Sequence, residues 1–208
     1  RFAQPKRAGR RIVTTMLATE HPVRAALDRM ADLYEYAPQV TVGVPDEPGW
    51  IPAERLFAPD SPHLRQTLDA MAASYETTHR DVAASFVFHS YNWNMSCLAV
   101  ASYLTHQRIP DLCLSNLAVH RDERGFVDRL ALVSGRFWTT SRDPEASHPD
   151  AMIVTGDTLD LPRLRAELEL HFEPVIEAVR AQAPFGKRAM WLSLADNCAW
   201  CLHEFSER

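Results

Sequence analysis

Apolar side chains recur every three or four residues in five stretches of the chain, and this spacing predicts five helices. The first begins at Pro22 and ends before Pro38, the second covers 64–79, the third covers about 82–106, the fourth begins at Asp160 and the fifth follows Gly186. The third stretch is apolar on all sides, which is typical of a helix buried on several faces. We therefore expect it to form the spine of the fold.

The segment between the third and fourth helices has the pattern of strands. Apolar residues before and after a polar turn at 121–125 predict a β-hairpin over about 112–137, and Ala151–Thr155 is a possible third strand. Two glycines and three prolines predict a loop over Gly43–Pro52. The fold class that follows is α+β, mainly helical, with a small antiparallel sheet.

The chain has 208 residues, of which 46% are apolar and 24% charged, as in an ordinary globular protein. We expect residues 1–60 to contribute a helix and the Pro/Gly-rich loop, packed on a core of residues 61–208 that forms one structural unit. A formal net charge of −5 offers no basic surface for nucleic acid, so we expect no nucleic-acid partner.

The stretch from Val82 to Gln107 carries no charged residue and is long enough to raise the question of a membrane span. Several polar side chains crowd its middle, which would be costly in hydrocarbon, so we expect a core helix and no integral membrane segment. No secretory signal is visible near the N-terminus, and the cytoplasm is the expected location.

Several enzyme classes lack their sequence signatures here. The seven glycines are scattered singly, so neither a dinucleotide-binding fingerprint nor a phosphate-binding loop is present. The Gly-x-Ser-x-Gly and His-Glu-x-x-His motifs are also missing from the sequence. The sequence therefore disfavours nucleotide-dependent enzymes and the common hydrolases.

A polar break interrupts the central helix at His89–Asn94. Clustered polar groups inside an apolar segment either line a pocket or form a hydrogen-bonded network in the core. A second polar stretch places His171 between Glu169 and Glu173, but a spacing of two residues puts these side chains on different helix faces. We therefore interpret that stretch as a solvated charged face.

Four cysteines stand at positions 97, 113, 198 and 201. Cys198 and Cys201 lie three residues apart on a predicted helix, where two thiolates could share a metal ion if the fold supplied two more ligands. The alternative is that both pack as small apolar residues in the core. A further hypothesis is a small biosynthetic enzyme that uses one of them as a nucleophile, with His203 as the neighbouring base.

The order of several features resembles the FhuF-like ferric-siderophore reductase family. These features are a serine in the long helix (Ala83-Ala84-Ser85), the break Ile109-Pro110-Asp111-Leu112, the hairpin, and a final helix with Arg188, Trp191 and Asn197. The same module resembles the C-terminal region of IucA/IucC-type siderophore synthetases. The likeness covers roughly residues 62–206.

That resemblance implies reduction of ferric iron in a siderophore by a [2Fe-2S] cluster near the C-terminus, with an electron donor that the sequence does not identify. The family's cluster motif contains an adjacent Cys-Cys pair, which this sequence lacks, and Cys198-x-x-Cys201 falls inside the Trp191 helix. Two interpretations stay open. Either the sequence stops before the cluster segment, or the protein is a cluster-free member that binds a siderophore or a related metabolite.

The resemblance and the polar break together suggest which residues contact the ligand. We expect them to come from the central helix (His89, Asn92 and Trp93) and from the final helix (Arg188, Trp191 and Asn197), across a cleft between the two. Amide, guanidinium and indole groups suit the oxygen-rich faces and aliphatic linkers of a ferric hydroxamate. Arg188 in a surface salt bridge and Trp191 in the core are the alternative roles. The sequence assigns no catalytic residue and no metal ligand.

Overall fold

Helices and short strands alternate along the computed structural model, which describes residues 21–33, 37–156 and 158–206. The helices are α1 (Pro22–Leu33), α2 (Ala53–Leu56), α3 (Pro62–Ser74), α4 (Arg80–His106), α5 (Leu161–Gln182) and α6 (Lys187–Ser206). The strands are β1 (Gln39–Val42), β2 (Trp50–Pro52), β3 (Ile109–Pro110), β4 (Leu117–Arg121), β5 (Val127–Leu132), β6 (Phe137–Thr139) and β7 (Ala151–Ile153).

Helix α4 is the centre of the fold, as its all-round apolar pattern predicts. It is 27 residues long, and nearly every residue from Val87 to Tyr103 is buried. It ends at Gln107, whose left-handed backbone (φ 52°) lets its N–H group bond back to the last turn. Helices α1, α3, α5 and α6 all pack against α4.

Two side-chain caps set the starts of the flanking helices. Ser61 Oγ accepts from the backbone N–H of Leu64 at 3.2 Å and begins α3, while Asp160 Oδ1 accepts from Arg163 N–H at 3.1 Å and begins α5. The second helix is shorter than the predicted 64–79 because the chain turns at Glu76, which has a positive φ of 49°. Helix α5 runs through Pro174 as one element.

The predicted hairpin is confirmed by β4 and β5, which pair antiparallel with Leu117 opposite Leu132. It forms the middle of a four-stranded sheet in the order β1-β5-β4-β2, in which β1 joins β5 in parallel. Phe137 and the expected third strand lie in a separate sheet, in the order β3-β6-β7, where β7 runs parallel to β6. The α+β class is therefore confirmed, but the sheets are mixed and not purely antiparallel.

The loop predicted at Gly43–Pro52 is wrong at its end, because residues 50–52 form β2. Ile51 pairs with Val119 in β4, and this partner lies far along the chain. Apolar and polar residues do not alternate in this segment over a stretch long enough to indicate a strand.

Helix α1 shares one hydrophobic core with the other described elements. Helix α1 buries Val23, Leu27 and Met30 in the same cluster that holds the apolar face of α4. Among the described residues, no helix has both the length and the apolar character needed to cross a bilayer.

Candidate functional site

Helices α4 and α6 lie side by side and run in the same direction. Asn92 contacts Ser193 near the start of α6, and Cys97 contacts Cys201 farther along both helices. The central and final helices are therefore adjacent, but the cleft that we predicted between them is wrong along this line. The two helices are in direct contact along this line.

A strip of small polar side chains, each buried or half-buried, lies in that contact, and we call it the polar seam. It consists of Asn92, Ser96, Ser193, Asn197 and Cys198. Asn92 is fully buried; its Nδ2 donates to Ser193 Oγ at 3.2 Å and its Oδ1 accepts from Ser96 Oγ at 3.0 Å. The Cys198 thiol also points at Ser96 Oγ, with sulfur and oxygen 3.6 Å apart. These bonds explain how polar side chains are tolerated between two core helices.

Asn197 is the exception in the polar seam. It is buried, yet its Nδ2 group has no hydrogen-bond partner. An unsatisfied buried amide costs about 1–3 kcal/mol relative to a paired one. A ligand oxygen or a water molecule at this position would remove that cost.

The other four predicted ligand-contact residues lie toward solvent. His89 and Arg188 are exposed, and Trp93 and Trp191 are half-buried. The Trp93 ring lies 4.7 Å from that of Trp200 on α6. Although His89 is exposed overall, neighbouring atoms shield part of its ring from water, which lowers its pKa and favours the neutral ring. The structure thus brings Asn92 and Trp93 to the α4–α6 contact. Asn197 lies one helical turn from both Ser193 and Cys201, which contact α4. His89 and Arg188 are exposed, and no described contact joins either of them to the partner helix.

The polar break at 89–94 also serves the core. Asn94 Nδ2 donates to the carbonyls of Ser90 and Val127 at 2.6 and 3.0 Å, which ties α4 to β5. Tyr91 O–H lies 2.8 Å from His171 Nε2 on α5. The structure therefore supports the alternative of a hydrogen-bonded core network at Tyr91 and Asn94, and the pocket alternative stays a prediction.

The four cysteines do not converge. The sulfur atoms of Cys97 and Cys201 are 3.4 Å apart, Cys198 lies on the polar seam, and Cys113 is exposed on the loop after β3. A [2Fe-2S] cluster needs four ligands, usually thiolates, around one site. The single candidate metal-binding group among the described residues contains no cysteine. The thiols of this chain do not fit the cluster that the family resemblance implies.

The thiols are also poor nucleophiles in this arrangement. The hydrogen bond with Cys201 and burial raise the pKa of Cys97 far above its usual range. Burial raises the pKa of Cys198 to about 11, and the hydrogen bond with the Asp111 carboxylate raises that of Cys113 to about 11. Since the thiolate is the reactive and metal-binding form, these three thiols are almost entirely protonated near pH 7.

His171 is buried, and it is not part of the solvated face that we predicted for its segment. Its neighbours Glu169 and Glu173 are exposed and pair with Arg165 and Lys187. Burial lowers the pKa of His171 to about 4, so the ring is neutral and carries one N–H. Nδ1 must donate to the Leu112 carbonyl at 2.6 Å, which leaves Nε2 to accept from Tyr91.

Sequence reasoning missed two further arrangements. His21, His148 and Asp150 offer ligand atoms that all lie within 4.8 Å of one another. A cavity of about 400 Å³ lies between β6, β7 and the start of α5, where the Arg163 guanidinium carbon sits 3.7 Å above the Trp138 ring centre. Both unite residues from distant parts of the sequence, so no local motif could have indicated them.

Comparison with protein-family models gives no match for this chain, and comparison with curated protein sequences gives none either.

Proposed function

We propose that the chain handles siderophore iron, as a ferric-siderophore reductase-like protein that binds its ligand at the solvent edge of the α4–α6 contact. The observation that carries this proposal is the polar seam with its unpartnered Asn197 amide. The exposed His89 and Arg188 belong to the same two helices, and we assign them to the ligand-binding edge. The order of features that resembles the FhuF-like family supports it. We propose a cytoplasmic location for this role.

The side chains at this edge have the chemistry that such a ligand needs. A ferric hydroxamate presents oxygen atoms that accept hydrogen bonds, and the Arg188 guanidinium and the Asn197 amide are donors. The half-buried indoles of Trp93 and Trp191 offer flat apolar faces for the aliphatic linkers. Asn92 is fully buried and has hydrogen-bond partners, so we assign it to positioning Ser193 and Ser96.

The proposal also includes reduction of the iron in the bound complex. Hard oxygen ligands hold Fe(III) far more tightly than Fe(II), so transfer of one electron to the bound complex would loosen the iron. The thiols of this chain do not form a cluster that could deliver the electron. The electron would then come from a [2Fe-2S] cluster on a segment beyond residue 208 or from a separate donor that binds near the same edge.

Two alternative functions require different features of this structure. A cluster-free binding domain for a siderophore or a related metabolite would use the same edge but release no iron. A Cys-dependent biosynthetic enzyme would need a thiolate at neutral pH, which the raised pKa values of Cys198 and Cys97 disfavour.

Isothermal titration calorimetry tests the binding step. The probes are the ferric complex of a linear trihydroxamate and its gallium(III) complex, which has the same shape and is not readily reduced. We expect both to bind, and we expect the double variant His89→Ala/Arg188→Ala to bind at least tenfold more weakly, or about 1.4 kcal/mol. The matched control is His79→Ala/Arg165→Ala, which removes one exposed histidine and one exposed arginine elsewhere.

Two results would contradict the proposed binding surface. If neither complex binds, siderophore binding is wrong. If the test and control variants bind alike, the ligand lies elsewhere on the molecule. Anaerobic absorption spectroscopy of the full-length protein, with iron and acid-labile sulfide measured on the same sample, then separates a reductase that carries its own cluster from the cluster-free binding domain.

A further inference from the structure

We infer that His21, His148 and Asp150 form a binding site for a divalent transition-metal ion. His21 directly precedes α1, and the other two residues end the loop before β7. The site is separate from the α4–α6 contact, and the inference does not rest on siderophore binding.

The three side chains already have most of the required geometry. His21 Nε2 is 3.0 Å from Asp150 Oδ2, and all three ligand atoms lie within 4.8 Å of one another. Tetrahedral coordination with bonds of about 2.1 Å separates ligand atoms by about 3.4 Å. The His21–Asp150 pair is close to this spacing, and His148 has to move inward by at most about 1.4 Å.

The surroundings hold the two histidine rings in place. The rings lie edge to face with 4.8 Å between their centres, and both contact the Phe137 ring, at 6.4 Å for His21 and 6.1 Å for His148. A Cβ atom at Gly135 would overlap the His21 ring, so the close approach of the backbone there requires glycine. Such packing reduces the loss of side-chain freedom on metal binding.

The carboxylate is fixed by the same loop. The Asp150 backbone N–H donates to His148 Nδ1 at 3.1 Å, and its carbonyl accepts from Phe137 N–H at 3.0 Å. All three side chains are only partly buried, so an ion from solution can reach them. The site is thus assembled from two separated segments that the fold holds together.

Metal binding changes one proton position. His21 Nδ1 accepts from the backbone N–H of Val23 at 3.2 Å, so the neutral ring carries its proton on Nε2 and donates to Asp150. An ion bound to Nε2 takes the place of that proton, which moves to Nδ1. The contact with Val23 is then lost, and the imidazole remains neutral.

The ligand set selects the class of ion. Two imidazoles and one carboxylate suit zinc, cobalt, iron or nickel in the divalent state better than calcium or magnesium, which prefer all-oxygen sites. Three protein ligands leave at least one coordination position for water or an exchangeable ligand. The geometry therefore points to an open site and not to a closed structural one.

Titration with cobalt(II), followed by its visible absorption and by competition with zinc(II), tests the inference. The full chain carries Cys113→Ser, because the exposed Cys113 thiol is a competing ligand. We expect binding of about one cobalt ion per chain, without the thiolate-to-cobalt band that cysteine ligation produces. His148→Ala and Asp150→Asn should each weaken binding at least tenfold.

His120→Ala is the matched control. His120 Nδ1 contacts Asp128 Oδ1 at 2.7 Å, which makes a similar His–Asp pair outside the three-residue group. Thermal melting without metal checks that the variants fold, and His148→Gln replaces His148→Ala if the latter does not. We expect zinc to raise the melting temperature of the parent protein and of His120→Ala, but not of the His148 variant. Equal cobalt affinity in parent and His148 variant, or a thiolate band in the Cys113→Ser protein, would overturn the inference.

Discussion

At the scale of single residues, His171 shows how burial determines protonation. It joins α5 to Tyr91 of α4 and to the Leu112 carbonyl, and both ring nitrogens are used. A protonated ring would have to donate from both nitrogens. Tyr91 would then have to turn its own hydrogen away, inside a fully buried pocket.

This arrangement makes the stability of the protein depend on pH. Burial lowers the pKa of His171 from 6.5 to about 4, so between these values the unfolded chain binds the proton and the folded chain does not. Folding stability must therefore fall as pH drops from about 6.5 to 4, by about 3 kcal/mol for this group. We expect His171→Asn to remove this part of the loss, as measured by urea unfolding across the pH range.

The control is His79→Asn, which changes an exposed histidine at the start of α4. In this control, the free energy of unfolding should depend on pH as steeply as it does in the parent protein. If the free energy of unfolding of His171→Asn falls with pH as steeply as that of the parent protein, other groups cause the acid sensitivity.

At the scale of elements, helices were predictable because their signals are local. The proline in the first turn of α3 and α5, the capping Ser61 and Asp160, and the apolar spacing all lie within a few residues of the helix they define. Strands β1 and β2 depend on partners far along the chain, such as Val119 for Ile51, and their three or four residues carry too little pattern. For the same reason the parallel pairing of β7 was not predictable.

In the candidate site, too, the features with local sequence signals were predictable and those that depend on packing were not. The polar break in α4 indicated Asn92, and the family resemblance indicated Asn197; we place both in the polar seam. Asn92 is buried because of the way the two helices pack against each other. The spacing of residues along the sequence does not indicate this packing. The His21, His148 and Asp150 group depends on the loop before β7 folding back on the start of α1.

The cap of α5 allows a prediction for one element. Asp160→Ala removes the acceptor for Arg163 N–H at the first turn. We expect the free energy of unfolding to fall by about 1 kcal/mol, with an unchanged urea m-value. Asp160→Asn keeps an acceptor at the same position and should remain within a few tenths of a kcal/mol of the parent. Equal losses in both variants would mean that the charge of Asp160, and not its cap, stabilises the helix.

At the scale of the whole molecule, one buried ion pair joins three distant segments. Arg108 follows α4 and binds Asp143 of the β6–β7 loop through two bonds of 2.7 and 2.8 Å. It also donates to the Pro22 carbonyl at 3.0 Å, at the start of α1. Burial alone would raise the pKa of Asp143, but the hydrogen bonds from Arg108 and Thr139 outweigh it and bring the pKa to about 2.

Removing the cation should therefore be costly and dependent on pH. The two side chains are only 8% and 6% exposed, so Arg108→Met leaves a buried carboxylate without its counter-ion. We expect a loss of about 3–5 kcal/mol near pH 7, against less than about 1 kcal/mol for Arg165→Met, which breaks the exposed pair with Glu169. Without Arg108, we expect burial to outweigh the remaining hydrogen bonds from Thr139 and the Glu145 N–H and to raise the folded-state pKa of Asp143 above its unfolded value. Protonation would then stabilise the variant relative to pH 7. The loss of unfolding free energy relative to the parent protein should then be smaller at pH 4.5 than at pH 7, as measured by urea unfolding at both pH values.

An equal loss at the two pH values would contradict this explanation. It would show that the loss comes from the Pro22 contact and from packing, and not from the unpaired charge of Asp143.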